Sequence, residues 1–398
     1  MATALLGCFA LQFHTVHQQL ASNPLADIPA AVRKQLDGLA VDPPQGEVAI
    51  TAGSRGIANI ALILHTCGEW LRERGAEPFV VPAMGSHNGA TADGQQAMLE
   101  GLGMTEAALG MTIRSSMDTV TLANVHNGPV TMDRFAHEAA GVLVVNRVKP
   151  HTSFGGPPYG EHCESGLAKM MTVGLGKVEA ARTFHAAPFA EKPGVLRSMA
   201  EVVAASDKVW AGLAILEDGY DQTAELHAIP ANEIIDREPS LLARHAERYF
   251  PKLPVDELNV LVVEQIGKNF SGTGLDTNVI GRRGIADAPA LPSPRIESIA
   301  ALSLSPESQG NAVGVGLCDA ITQRLYDAID FDKTRLNAQT TGDLSKAEPP
   351  LVLPDDAAVF EWLRQRHGEE RWVVIPNTLE LATLRVSEDL ADEFNQSG

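Results

Sequence analysis

The chain has 398 residues, of which 44% are hydrophobic and 20% charged. That is enough apolar content for a full globular core and enough length for about two to three domains. A formal net charge of −19 argues against a nucleic-acid partner, because binding a phosphate backbone needs a basic surface. A small anionic ligand is still allowed, since one local cluster of Arg and Lys suffices.

Four cysteines (Cys8, Cys67, Cys163, Cys318) form no CxxC pair, which excludes a zinc ribbon and a disulfide framework. The opening MATALLGCFALQF has no Lys or Arg before Arg33, so it lacks the positive region of a secretory signal. LLGC lies too close to Met1 to serve as a lipoprotein box. This stretch is expected to be a first strand or ordered arm. No apolar run approaches the ~20 residues of a membrane span, so the expected location is the cytoplasm, with no membrane partner.

EVAIT at 47–51 predicts a buried strand, GSRG a turn, and apolar spacing over 57–74 a helix that Gly75 stops. PFVVPA is the next strand, GSHNGAT the next loop and 92–102 the next helix. Two successive β-loop-α units imply parallel strands with right-handed crossovers. GVLVVN at 141–146 and the stretch 208–215 read as further strands, and 241–249 as a helix. The prolines of PKLP at 251–254 mark a linker, giving domains at 1–252 and 253–398. NVLVVE at 259–264 opens the second domain, SPESQGNAVGVGLCDAITQRLYDAI offers a glycine-rich loop before a helix, and WVVIPN at 372–377 is a late strand before an acidic surface tail. The expected fold class is α/β: two α/β domains with largely parallel sheets.

In open parallel sheets, ligands bind at the carboxyl ends of the strands. Four such loops carry cationic or titratable groups: GSRG with Arg55, GSHNG with His87, NRVKPH with Arg147, Lys149 and His151, and EQIGKN with Lys268. Four loops of one topological type suggest an anion-binding crevice. Lys169 is the odd residue, placed in ESGLAKMM among apolar neighbours. A buried lysine must shift its pKa, pair or be modified, and a neutral amine can bond covalently to carbonyl compounds and cofactors. The structural alternative is a helix lysine whose head reaches water. Adjacent His162 and Cys163 are poorly placed for joint chelation.

GSRGIAN, VPAMGSHNGAT, VNRVKPHTSF, ESGLAKMMTVGLGK and EQIGKN, spanning 53–269, together resemble the nickel-dependent lactate racemase family and its homologues acting on other 2-hydroxy acids. The resemblance implies a site in the cleft between the two domains. It also implies a nickel pincer nucleotide, a pyridinium mononucleotide holding nickel through sulfur and carbon, made by separate maturation proteins. Lys169 would carry it covalently as a thioamide. His185, sixteen residues later, would be the nickel ligand, and His87 and His151 the acid–base pair. Arg55, Gly85, Ser86, Gln265 and Lys268 would contact the cofactor, with Arg55 and Lys268 also available to the substrate. This chain departs from the family in an enlarged loop, GPPYGEHC, and in KPH where the lactate enzyme has EPH.

The implied reaction is racemisation or epimerisation of a 2-hydroxy acid. Direct deprotonation beside a carboxylate would create a second adjacent negative charge. Moving the hydrogen as hydride gives a flat 2-keto acid instead, and such chemistry belongs to the cofactor. A histidine on each side would exchange the hydroxyl proton. Arg147 and Lys149, if they face the pocket, favour a dicarboxylic substrate such as malate; lactate and a sugar acid are the alternatives. Two readings from other classes are a zinc hydrolase built on His87, His151 and His185, and a non-catalytic binding protein for an anionic metabolite.

Overall fold

A computed structural model describes residues 12–285 and 288–397. Most of the expected N-terminal arm, residues 1–11, lies outside the described residues. The chain divides into two compact units, Ala21–Phe250 and a second comprising residues 12–20 and 251 onward. The division falls within a residue or two of the expected linker. The start of the chain differs from expectation, because β1 (His14–His17) pairs antiparallel with the last strand of the second unit.

The unit Ala21–Phe250 holds β2 (Gly46–Ala52), β3 (Ala76–Pro82), β4 (Thr119–Val125), β5 (Gly128–Asp133), β6 (Gly141–Arg147), β7 (Val209–Glu217) and β8 (Thr223–Pro230). Among the described residues its main sheet has the order β3-β2-β6-β7-β8. β3, β2, β6 and β7 run parallel and β8 returns antiparallel. β4 and β5 form a separate hairpin. The sheet is buried on both faces, so its strands read as unbroken apolar runs. Val142 and Val144 pack on one side, with Phe154, Leu167, Phe184 and Leu196. Leu143 and Val145 pack on the other, with Ile63, Leu64 and Leu71 of the helix Ile60–Arg72.

The second unit adds β9 (Glu257–Ile266), β10 (Arg295–Leu304), β11 (Ala320–Thr322), β12 (Leu351–Leu353), β13 (Trp372–Ile375) and β14 (Thr383–Val386) in the order β1-β14-β13-β9-β10-β11-β12. β13 to β12 run parallel, and the β14 and β1 edge is antiparallel. Val260, Val262, Ala300 and Val374 pack with Val359 and Leu363 of the helix Asp356–His367. The glycine-rich stretch at 305–327 contains short turns and β11 before a helix of five residues, Gln323–Asp327. The acidic tail is helical, Glu388–Ser397. Both units are α/β with largely parallel sheets, and among the described residues no helix is long and apolar enough to cross a membrane.

Candidate functional site

Three of the four predicted loops follow the carboxyl ends of the adjacent parallel strands β3, β2 and β6. GSRG and GSHNG meet directly: the Ser54 hydroxyl hydrogen-bonds His87 Nδ1. Both loops also lie against the segment that carries Lys169. A Cβ on Gly53 would come within 3.0 Å of Met170 Cε, so this backbone approaches closely because it lacks a side chain. Gly85 has φ +61° and donates its N–H to the Gly174 carbonyl at 3.1 Å. Left-handed backbone at that position favours glycine, and Ser86 and His87 follow from it.

Lys169 closes one helical turn, Leu167–Lys169, that continues as a π-turn over Met170–Gly174. Leu175 N–H bonds back to Met170 C=O across five residues. Such turns cluster at functional sites. The turn begins against a buried carboxylate, with Ala168 N–H donating to Glu238 Oε2 at 2.9 Å. The 155–163 insertion packs back on the same helix, Ile234–Arg248: Cys163 Sγ meets the Ile235 carbonyl at 3.5 Å. Glu164 pins the base of this loop, accepting from His151 N–H at 2.7 Å and Gly156 N–H at 2.6 Å.

Lys169 Nζ lies 2.6 Å from His151 Nε2. Ser153 N–H donates to His151 Nδ1 at 3.0 Å, so Nδ1 presents its lone pair and Nε2 carries the ring proton. The short contact therefore runs from Nε2–H to the lone pair of a neutral amine. Burial first, then the charges of Arg55 and Lys192, push the Lys169 pKa down to about 7, against a smaller opposing pull from Glu164. His185 ends the helix Lys177–His185. Burial, then Lys169 and Lys192, push its pKa down to about 3, so at neutral pH it is a neutral donor. Both side chains keep part of their surface accessible. Aromatic contacts link the histidines: His151 to Phe154 (ring centroids 4.3 Å apart), Phe154 to Phe184 (5.0 Å) and Phe184 to His185 (5.4 Å).

The remaining predicted residues have the following partners. Arg147 pairs with Glu217, whose other oxygen accepts the Ala58 N–H at 2.6 Å. The expected substrate cation thus braces β6 and β7 against the turn after β2. Lys149 exerts its charge on Asp221 and His245. Its backbone N–H reaches the Ser165 carbonyl. Gln265 and Lys268 belong to the second unit. Gln265 sits near the carboxyl end of β9, and Lys268 Nζ donates to the Gly272 carbonyl at 2.6 Å and Asn337 Oδ1 at 2.8 Å. Among the described residues no three His, Cys, Asp or Glu side chains are grouped to hold a metal, so His87, His151 and His185 do not form a zinc site in this structure.

Sequence reasoning missed Lys192, Ser54, Glu164 and Glu238. Lys192 is buried at the first position of the helix Lys192–Ala204. A cation at a helix N-terminus opposes the helix dipole, and KPG just inside a helix start was the signal that could have flagged it.

No protein-family model matches the chain, and no curated protein matches it. Solved structures do. The lactate racemase apoprotein from Thermoanaerobacterium thermosaccharolyticum aligns with TM-score 0.54 at 14% identity, covering 91% of this chain and 94% of that one. A structural-genomics protein from Thermotoga maritima aligns with TM-score 0.53 at 13% identity, covering 83% of each chain. Alignment over most of both chains at so low an identity shows likeness of fold alone: this chain has a lactate racemase-like fold.

Proposed function

We propose that the chain is a racemase or epimerase of a 2-hydroxy acid whose working form carries a nickel pincer nucleotide on Lys169. The observation that carries this reading is the Lys169 amine, 2.6 Å from His151 Nε2 and with its pKa pushed down to about 7 by burial, Arg55 and Lys192, with His185 nearby in neutral form. The residues fit the group. A metal brought by an organic cofactor needs a single protein donor, which His185 supplies, whereas a protein-only site needs a cluster. A nucleotide phosphate needs positive charge, which Arg55 and Lys192 supply close enough to act on Lys169. When bound, the pyridinium group supplies the hydride acceptor.

The chain's own residues handle charge and protons. Arg55 and Lys192 hold the anionic groups in place, and orientation of this kind can contribute ~7–11 kcal/mol to lowering a barrier. His87, steadied through Nδ1 by Ser54, and His151 take and return the substrate hydroxyl proton from two different loops. Histidine exchanges protons readily near neutral pH. With Arg147 committed to Glu217, the case for a dicarboxylic acid such as malate rests on Lys149, and lactate is the other substrate to test.

The experiment is co-expression with a pincer-cofactor maturation system, followed by intact mass and peptide mapping. A mass gain on Lys169, accompanied by nickel and lost in Lys169→Ala, is the expected result. Chiral assay with lactate and malate then assigns the substrate. An unmodified Lys169 in a host that loads a control racemase overturns the proposal and leaves the anion-binding reading.

A further inference from the structure

Before any cofactor is attached, Lys169 already has the surroundings of a covalent amine catalyst. Its Nζ accepts a hydrogen bond from His151 Nε2–H, and that direction is set by Ser153 N–H on Nδ1. Phe154 lies beneath both groups, its ring 4.3 Å from the His151 ring and its centroid 5.8 Å from Nζ. Arg55 and Lys192 act on the amine with positive charge, which discourages protonation and attracts an anion at once. A lysine with a cationic neighbour and a desolvating wall is activated as a nucleophile.

We propose that the cofactor-free chain forms an imine between Lys169 and a small 2-oxo acid, with the carboxylate held by Arg55 and Lys192. The Nζ lone pair forms the C–N bond while the carbonyl π bond opens onto oxygen. Both amine protons pass in turn to that oxygen, which leaves as water, and the nitrogen lone pair closes the C=N bond. No electrons are gained or lost. His151 Nε2–H, released from the amine as its lone pair is used, turns to the departing oxygen as a hydrogen-bond donor. The inference goes beyond the proposed racemase and does not require it: attachment of a cofactor would consume the same amine, so the two states exclude each other at Lys169.

The test uses the full chain expressed without maturation proteins, incubated with pyruvate and sodium cyanoborohydride, which reduces an imine to a stable amine. Peptide mapping then locates the label. Lys169 is expected to be labelled at least about tenfold faster than the exposed Lys34 and Lys252, because a lowered amine pKa enlarges the reactive free-base fraction. Labelling at Lys169 is lost in Lys169→Arg. Acetaldehyde, which has no carboxylate, serves as the reference carbonyl. Removing the charge of Arg55 alters the amine equally for both reagents, so the readout is the ratio of pyruvate to acetaldehyde labelling, expected to fall several-fold in Arg55→Ala. Label spread over exposed lysines without enrichment at Lys169 overturns the imine; an unchanged ratio overturns the carboxylate subsite. A chain that is loaded by maturation proteins yet shows no enrichment separates failure here from failure of the racemase reading.

Discussion

A carboxyl group as deeply buried as that of Glu238 resists ionisation, because charge is poorly solvated away from water. Burial raises its pKa from 4.5 to about 7, with the N–H groups of Ala168 and Leu167 pulling the other way. The folded-state value lies above the unfolded one, so folding favours the proton. The cost of burying the carboxylate is absent below about 4.5, grows as pH rises, and is fully present above about 7. Glu238→Gln keeps an acceptor for Ala168 N–H and removes that cost. We expect urea unfolding to show the variant more stable at pH 8 by about 1–3 kcal/mol, with the difference gone at pH 4.5. At this scale the sequence exposed Lys169 as anomalous but could not show why. Its lowered pKa comes first from burial, then from Arg55, far earlier in the chain, and from Lys192, twenty-three positions later.

One buried ion pair ties together the elements that aim the histidines. Lys177 Nζ lies 3.1 Å from Asp133, both side chains fully buried. It also donates to the Pro82 carbonyl at the end of β3 (2.6 Å) and to Gln95 Oε1 (3.2 Å). Gln95 in turn donates to the Gly85 carbonyl at 2.8 Å, and Asp133 caps the helix Arg134–Glu138 through Ala136 N–H. Burial pushes both partners toward their neutral forms, the carboxyl upward and the amine downward. The His87 loop and the start of the helix that ends in His185 thus share one anchor. Lys177→Met strands the carboxylate and should destabilise the protein by about 3–5 kcal/mol in urea unfolding. Adding Asp133→Asn should recover part of that loss. The strands β2, β3, β6, β7, β9 and β13 were legible as elements because apolar runs bounded by Gly and Pro encode them locally. The π-turn was not: it ends at Gly174, which lies so close to Ala83 that a Cβ would come within 2.7 Å of the carbonyl oxygen. The β4–β5 hairpin was likewise unread: β4 has no fully buried position and β5 is buried at four successive ones, so neither alternates.

For the whole molecule, the assignment of residues 12–20 to the second unit is a matter of pairing. β1 supplies four residue pairs to β14, from His14↔Val386 to His17↔Thr383, and covers what would otherwise be an open sheet edge. Deleting residues 1–17 should lower hydrogen-exchange protection in β14 by about 1–3 kcal/mol, while β2, β3 and β6 keep theirs. Unchanged protection in β14 would mean that the pairing adds no stability.

The sequence by itself determined the α/β class, marked the strand-end loops that carry Arg55, His87 and His151, and singled out Lys169 among apolar neighbours. These rest on short-range pattern: apolar runs that fit a doubly covered sheet, and glycines at strand ends. Only the tertiary structure decided which side chains meet. It joined Ser54 to His87 and His151 to Lys169, brought in Lys192, and paired Arg147 with Glu217. Charge pairing and desolvation depend on distances between elements far apart in the chain, and no local pattern of residues fixes those distances.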